Sequence, residues 1–278
     1  MIDLIAEMFS YPFMVRAFIV GTLVALCAAL LGVSLVLKRY AMIGDGLSHV
    51  GFGALAIATA FNASPLIVSI PIVVFAALFL LRISESSKIK GDSAISIIST
   101  GALAIGVMIV SMTTGMNTDV SNYLFGSILT MSQSDVRLSI IISVIVLILF
   151  VIFYNRIFAV TFDESFARAT GVKVEIYNML IAVLTALVIV LGMRMMGALL
   201  ITSLIVFPAL TSMQIYKRFL TVIINSALIS VVCLWFGVTM SYVYATTTGA
   251  SIVIYNIIFF ILFTIIKKVF DAKIHKSK

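Results

Sequence analysis

Charge is scarce in this sequence. Only 10% of its 278 residues are Asp, Glu, Lys or Arg, against about 25% in an ordinary soluble domain. A chain so poor in charge cannot cover itself with a wetted surface, which excludes a soluble globular protein. Cysteine occurs twice, as Cys27 and Cys233, each inside an apolar run. That excludes a disulfide framework and a thiolate metal cage. Histidine also occurs twice, and only His49 lies in an apolar run. No HExxH pair and no catalytic triad can then be assembled within the spans. Nowhere does G-x-x-x-x-G-K-[ST] occur, so the chain brings no nucleotide-binding loop of its own and does not read as an enzyme. The net charge of +7 is not a nucleic-acid signal either. The basic residues sit in short loops between apolar runs, with no basic face interleaved with aromatics.

What is abundant is hydrophobicity, at 63% of residues. Runs of about 20 apolar residues, the length that spans a hydrocarbon core, recur along the whole chain. Nine are delimited by charged or turn-rich breaks, at residues 13–37, 43–61, 65–82, 94–112, 138–155, 177–193, 196–215, 219–243 and 250–267. They are too long and too continuous for barrel strands, which alternate over about ten residues. The expected fold is an all-α, polytopic bundle forming a single transmembrane domain over residues 1–278. Nine spans are expected, or eight if one segment is re-entrant. Asp3 and Glu7 precede the first run where a cleavable leader would carry basic residues, so that run is expected to remain as a helix.

Fifteen of the eighteen Lys and Arg residues fall in the odd-numbered loops and the C-terminal tail. By the positive-inside rule those segments face the cytoplasm. Nine spans then put the N-terminus outside and the C-terminus inside, in a cell membrane. Arg194, between the sixth and seventh runs, lies on the predicted outer side. Either it snorkels to the interface or those two runs are arranged differently.

The second run opens Gly44-Asp45-Gly46-Leu47-Ser48-His49-Val50-Gly51. Asp45 and His49, four residues apart, share one helix face. Ionisable residues inside a span are costly and usually face a pathway or a partner. Two readings stand: Asp45 caps the helix and bonds to His49, or the two ligate a divalent cation. A carboxylate with a neutral imidazole suits Mn2+, Zn2+ or Fe2+. Two ligands make a weak site, so a second copy of the chain or water must complete it. Gly44, Ser48 and Gly51 form a neighbouring stripe of small residues that permits close helix packing, including packing between two such helices.

In the fifth loop, Thr161-Phe162-Asp163-Glu164-Ser165-Phe166-Ala167-Arg168-Ala169-Thr170-Gly171 predicts a short helix of about two and a half turns. Thr161 and Glu164 are expected to form a capping box, and Gly171 to stop the helix. Phe162, Phe166 and Ala169 fall at i, i+4 and i+7, a stripe for the membrane interface or for a groove on a cytoplasmic partner. On the outer side Asp119 and Ser121 precede Asn122-Tyr123-Leu124-Phe125-Gly126-Ser127, read as a capped loop helix or a contact for an external delivery protein. Pro208, inside the seventh run, is expected to kink it, as plain structure or as a gating element.

Three of these stretches, Gly44 to His49, Asn122 to Leu129 and Phe162 to Gly171, resemble the zinc/manganese/iron ABC permeases of bacteria, the ABC-3 family. Residues Gly197 to Ala209 resemble its later helix, and the similarity extends over nearly the whole chain. The resemblance implies an importer permease fold and a transported divalent metal, Zn2+ or Mn2+, with no permanently bound cofactor. It implies a homodimer or pseudo-dimer of permeases in the bilayer, a cytoplasmic pair of ABC ATPases and an extracytoplasmic metal-binding protein. Asp45 and His49 match the family's pathway ligands. Residues 161–171, with Phe162, Asp163, Glu164, Phe166, Arg168 and Gly171, match its coupling helix. Gly46 stands where the family often has Ala. The rival reading is a secondary metal/proton transporter, which would ordinarily carry more than one carboxylate within its spans. A siderophore or corrinoid permease would not need the Asp/His pair.

Overall fold

The computed structural model describes residues 7–86, 91–113 and 132–276, and every regular element in them is a helix. In chain order these are α1 (Pro12–Leu37), α2 (Ala41–Ala60), α3 (Pro65–Ser86), α4 (Gly91–Met112), α5 (Gln133–Ile152), α6 (Tyr154–Phe162), α7 (Glu164–Ala169), α8 (Val174–Met196), α9 (Ala198–Ile215), α10 (Phe219–Tyr244) and α11 (Thr248–Lys276). Among the described residues nine helices are long and apolar enough to cross a membrane, all except α6 and α7. With one bilayer-length segment per apolar run, the chain is a multi-pass membrane bundle. The segment Asp119 to Leu129 lies outside the described residues.

Burial sorts the spans into inner and outer. In α1, α2 and α8 the central windows are 67%, 72% and 67% buried within the chain, against 22% in α4 and 17% in α11. Lipid offers apolar side chains no hydrophobic penalty, so the inner helices are held by close packing and polar contacts rather than by apolar area. Antiparallel α1 and α10 illustrate the polar part. Ser226 Oγ donates to the Ala29 carbonyl at 3.4 Å, Ser230 Oγ to that of Ala25 at 3.0 Å, and Trp235 Nε1 to Thr22 Oγ1 at 3.0 Å. Close packing is clearest between α2 and α4. A Cβ on Gly53 would fall 2.8 Å from the Ala102 carbonyl oxygen, and one on Gly106 only 2.9 Å from the Gly53 Cα. Only glycine lets the two backbones meet there.

Arg194 finds its partner in the fold. Ser132 caps α5, accepting from the Asp135 N–H at 3.1 Å, while Asp135 Oδ2 reaches back to the Ser132 N–H at 3.4 Å. The same carboxylate oxygen lies 3.8 Å from Arg194 Nη2, with side chains only 11% and 16% exposed. The guanidinium is paired inside the protein, at the corner where α8 ends and Gly197 (φ +87°) turns the chain into α9. Of the two readings the sequence left open for Arg194, snorkelling is not the one found. The pairing also explains why α5 begins five residues before the predicted span and α8 runs three beyond its own. Pro208 is buried inside α9, which continues through it to Ile215.

Candidate functional site

The α1–α2 corner sets where the Asp45/His49 pair sits. Helix α1 ends in a Schellman turn: the Tyr40 N–H donates to the Leu35 carbonyl at 2.8 Å and the Arg39 N–H to that of Val36 at 3.1 Å. Arg39 takes φ +60°, the left-handed cap position that glycine usually fills. Helix α2 follows immediately, so Asp45 falls in its second turn.

Asp45 caps nothing. Position N-cap of α2 belongs to Tyr40, which makes no side-chain cap bond. His49 Nε2 lies 3.8 Å from Asp45 Oδ2, too far for a hydrogen bond. The capped, bonded pair is therefore not the arrangement found. Two donors each about 2.1 Å from a shared metal lie about 3.0–3.5 Å apart, so a small rotamer change closes this pair on a cation. The Asp45 side chain is 52% exposed and that of His49 28%. Imidazole Nδ1 is buried without a hydrogen-bond partner, leaving Nε2 as the nitrogen that faces Asp45. No cluster of three or more His, Cys, Asp or Glu occurs among the described residues, and of these residue types Asp45 and His49 are the two that meet here.

Beside Asp45 opens a groove of about 350 Å³, lined by Gly44 and Asp45 on α2, Thr202, Ser203 and Val206 on α9, and Val253 on α11. The stripe of Gly44, Ser48 and Gly51 is occupied within the chain. Gly44 packs on Ile205 of α9, Gly51 on Met193 of α8 and Val73 of α3, and Ser48 is buried with its hydroxyl donating to the Asp45 carbonyl at 2.7 Å. That face is therefore closed to a second α2, and the face left open is the one bearing Asp45.

At the same end of α1, the end that carries Lys38, the 161–171 segment departs from expectation in three respects. It is not one helix: α6 ends at Phe162, and a separate helix of six residues, α7, follows. The cap is Asp163, whose Oδ1 accepts from the Phe166 N–H at 2.9 Å, whereas Thr161 is buried in the last turn of α6. An Asp in extended conformation (φ −150°, ψ 99°) suits an N-cap and breaks the helix ahead of it. Because the break turns the chain, Phe162 and Phe166 part company. Phe162 joins an aromatic cluster with Phe158 (4.9 Å between centroids) and Phe219 (5.7 Å), while Phe166 stands 64% exposed.

The stop at Gly171 is as expected. With φ +82° it closes a Schellman turn, its N–H bonding Arg168 O at 3.1 Å and that of Val172 bonding Ala167 O at 3.0 Å. Arg168 Nη2 pairs with Glu175 Oε1 at 2.8 Å on the surface. Ala167 is fully buried in a small core with Val160, Val172 and Val174. Helix α7 thus rides on α6 and the start of α8 and presents Phe166 outward.

Lys38 was a loop charge in the sequence; in the fold its side chain is only 4% exposed. Its Nζ donates to the carbonyl of Val160 at 3.2 Å, to Glu164 Oε1 at 2.5 Å and to Asn178 Oδ1 at 2.8 Å. Asn178 Nδ2 also donates to Glu164 Oε1, at 3.2 Å. Partial burial pushes the Glu164 carboxyl up, but the Lys38 ammonium and Asn178 amide outweigh it and hold the group below the usual carboxylate range.

A polytopic helical bundle with an ionisable pair on an inner helix, a short outward-facing helix at one end and no nucleotide loop defines a membrane transport subunit. Residues 10–267 match the ABC 3 transport family; the chain belongs to that family. It is 32% identical over 94% of its length to the probable iron transport system membrane protein of Haemophilus influenzae, covering 93% of that chain. With the manganese transport system membrane protein MntC of Halalkalibacterium halodurans it shares 29% identity, over 89% of this chain and 85% of that one. The structure of PsaBC from Streptococcus pneumoniae in complex with Fab superposes with a TM-score of 0.85 at 28% identity, covering 95% of both chains.

Proposed function

We propose that this chain is the membrane-spanning subunit of an ATP-driven importer of divalent transition metal, and that the metal passes between Asp45 and His49 of two copies. The observation that carries this reading is the carboxylate and imidazole one turn apart on an inner helix, unbonded to each other and partly open, in a transport-family chain. Manganese and iron are the cargoes in the names of its relatives, and the same donor set accepts zinc. Two ligands per chain become four across a two-fold axis, enough to replace most of a metal's hydration shell while leaving it able to depart. The open face of α2 bearing Asp45, beside the 350 Å³ groove, is where a second copy would complete the site.

Energy comes from elsewhere, since the chain has no nucleotide loop. Helix α7, with Phe166 outward, docks on a cytoplasmic ATPase, and a metal-binding protein delivers the ion from outside. In this reading the basic loops and C-terminus face the cytoplasm and the N-terminus lies outside, in a bacterial cell membrane, as the bias of Lys and Arg toward the odd-numbered loops supports.

The test is uptake by the complex reconstituted with its ATPase and binding protein. Asp45→Ala and His49→Ala are each expected to abolish ATP-dependent manganese uptake while the complex assembles and hydrolyses ATP. Normal uptake by both variants overturns the site. Uptake by the permease alone under a proton gradient would replace the importer with a secondary carrier.

A further inference from the structure

We propose that Lys38 is a positioning residue that ties α7 to the α1–α2 corner, so that displacement of α7 reaches the turn of α2 bearing Asp45 and His49. This rests on the reading of α7 as the ATPase-docking helix.

The ammonium is fully used. It has three donors, and three acceptors meet them: Val160 O on α6, Glu164 Oε1 on α7 and Asn178 Oδ1 on α8. The break at Asp163 is what makes the first of these available. Were α6 to continue, the Val160 carbonyl would accept from the residue 164 N–H; the turn leaves it among the orphan carbonyls of a helix end, and Lys38 fills it. One side chain at the end of α1 thereby touches three successive elements around the docking helix. Burying an ammonium is costly even when paired, and an apolar residue would fill the same space more cheaply. What an apolar residue lacks is a directional bond from α1 to a six-residue helix whose other ties, the Asn178 amide on Glu164, the Arg168–Glu175 pair and the small core around Ala167, lead to α6 and α8.

The path from Lys38 to the pair is short and stiff. Lys38 is the cap residue of α1, and its Schellman turn leads directly into α2. Asp45 is seven residues further on, in the second turn. The docking side is equally firm. Helix α7 is closed by the Asp163 cap and the Gly171 turn, with Ala167 packed into the small core formed by α6 and α8. Two rigid pieces meet at one buried cation, so a shift of one is carried to the other instead of being absorbed between them.

The experiment measures manganese imported per ATP hydrolysed by the reconstituted complex, together with manganese affinity of the permease. Lys38→Met is expected to lower the ratio about tenfold, within the usual span of coupling free energies, with manganese affinity and the yield of assembled complex retained. Lys38→Arg, which keeps charge and donors, is expected to recover part of the ratio. Glu164→Gln reports on the same tie from a half-exposed position and is expected to lower the ratio as well. A residue with only a structural role would reduce the yield and leave the ratio alone. An unchanged ratio in both Lys38→Met and Glu164→Gln overturns the tie. Phe166→Asp separates the two ideas: if it lowers the ratio where the Lys38 and Glu164 variants do not, only the tie fails. If it also leaves the ratio unchanged, the docking role of α7 fails with it.

Discussion

Arg194 Nη2 lies 3.8 Å from Asp135 Oδ2, and the pair joins the end of α8 to the first turn of α5. Both side chains are largely buried, so the pair is costly to break from one side only. Arg194→Met strands the Asp135 carboxylate and is expected to destabilise the protein by about 3 kcal/mol, in line with single-partner removal from buried pairs. Adding Asp135→Asn, which keeps the cap geometry without the charge, is expected to recover most of that loss. Thermal unfolding of the purified protein in detergent measures both, and equal melting of the single and double variants would contradict the pairing.

The Asp163 cap lends itself to a local measurement. Asp163→Ala removes the acceptor of the Phe166 N–H, a loss of about 1 kcal/mol for a typical N-cap. Because α7 is so short, this is expected to appear as faster amide exchange over residues 164–169, with the spans unaffected. Thr161→Ala, at the cap position expected from the sequence, is expected to leave exchange in α7 unchanged.

Glycines on facing helices predict opposite outcomes for one substitution. At Gly53 a new Cβ meets the Ala102 carbonyl oxygen at 2.8 Å, a backbone atom that can move only if α4 moves. Gly53→Ala is expected to cost about 1–3 kcal/mol through overpacking. At Gly101, on α4, a Cβ meets nothing within 4 Å, and Gly101→Ala is expected to be neutral or stabilising by up to about 1 kcal/mol. Unfolding in a graded series of denaturing detergent distinguishes them. At Gly46 the obstacle is the Ile95 Cγ2 at 2.8 Å, a methyl on the branched Cβ and not a backbone atom. Gly46→Ala is thus expected to need a small shift of Ile95 and to cost less than Gly53→Ala.

Acidification tests the Lys38–Glu164 pair. The folded state holds the Glu164 carboxyl below its ordinary value, so the folded protein binds this proton less readily than the unfolded chain. The stability contributed is complete above the ordinary glutamate value of about 4.3 and is lost as pH falls through the lower folded value. The difference in melting temperature between the wild type and Glu164→Gln is therefore expected to be constant near neutrality and to shrink below about pH 4. A difference that instead grows on acidification would reverse the sign of the interaction.

Much of the architecture was legible before folding. The nine apolar runs correspond to nine helices among the described residues that are long and apolar enough to cross a membrane, since in lipid each backbone segment must satisfy its own hydrogen bonds and a 20-residue run has little choice but a helix. Boundaries were less legible where a charge has a distant partner. Sequence reading closed the sixth run at Met193 because Arg194 follows, whereas α8 continues to Met196 once Asp135 is in place. Residues 161–171 were recognisable as a helical segment with a glycine stop. Their division at Asp163 was not, since the Thr161/Glu164 pattern marked the cap two residues earlier than the Asp163 side chain that makes it.

Spacing alone put Asp45 and His49 on one face, because four residues nearly complete a helical turn, and composition alone required a membrane around them. Which groups would meet across the bundle was beyond either. Lys38 and Glu164 are 126 residues apart, and nothing local marks one as the other's partner. Whether a basic residue at a span end dissolves in the interface or is buried against three acceptors depends on how α1, α6, α7 and α8 dock. That docking is a property of the packed bundle and is written in no single segment.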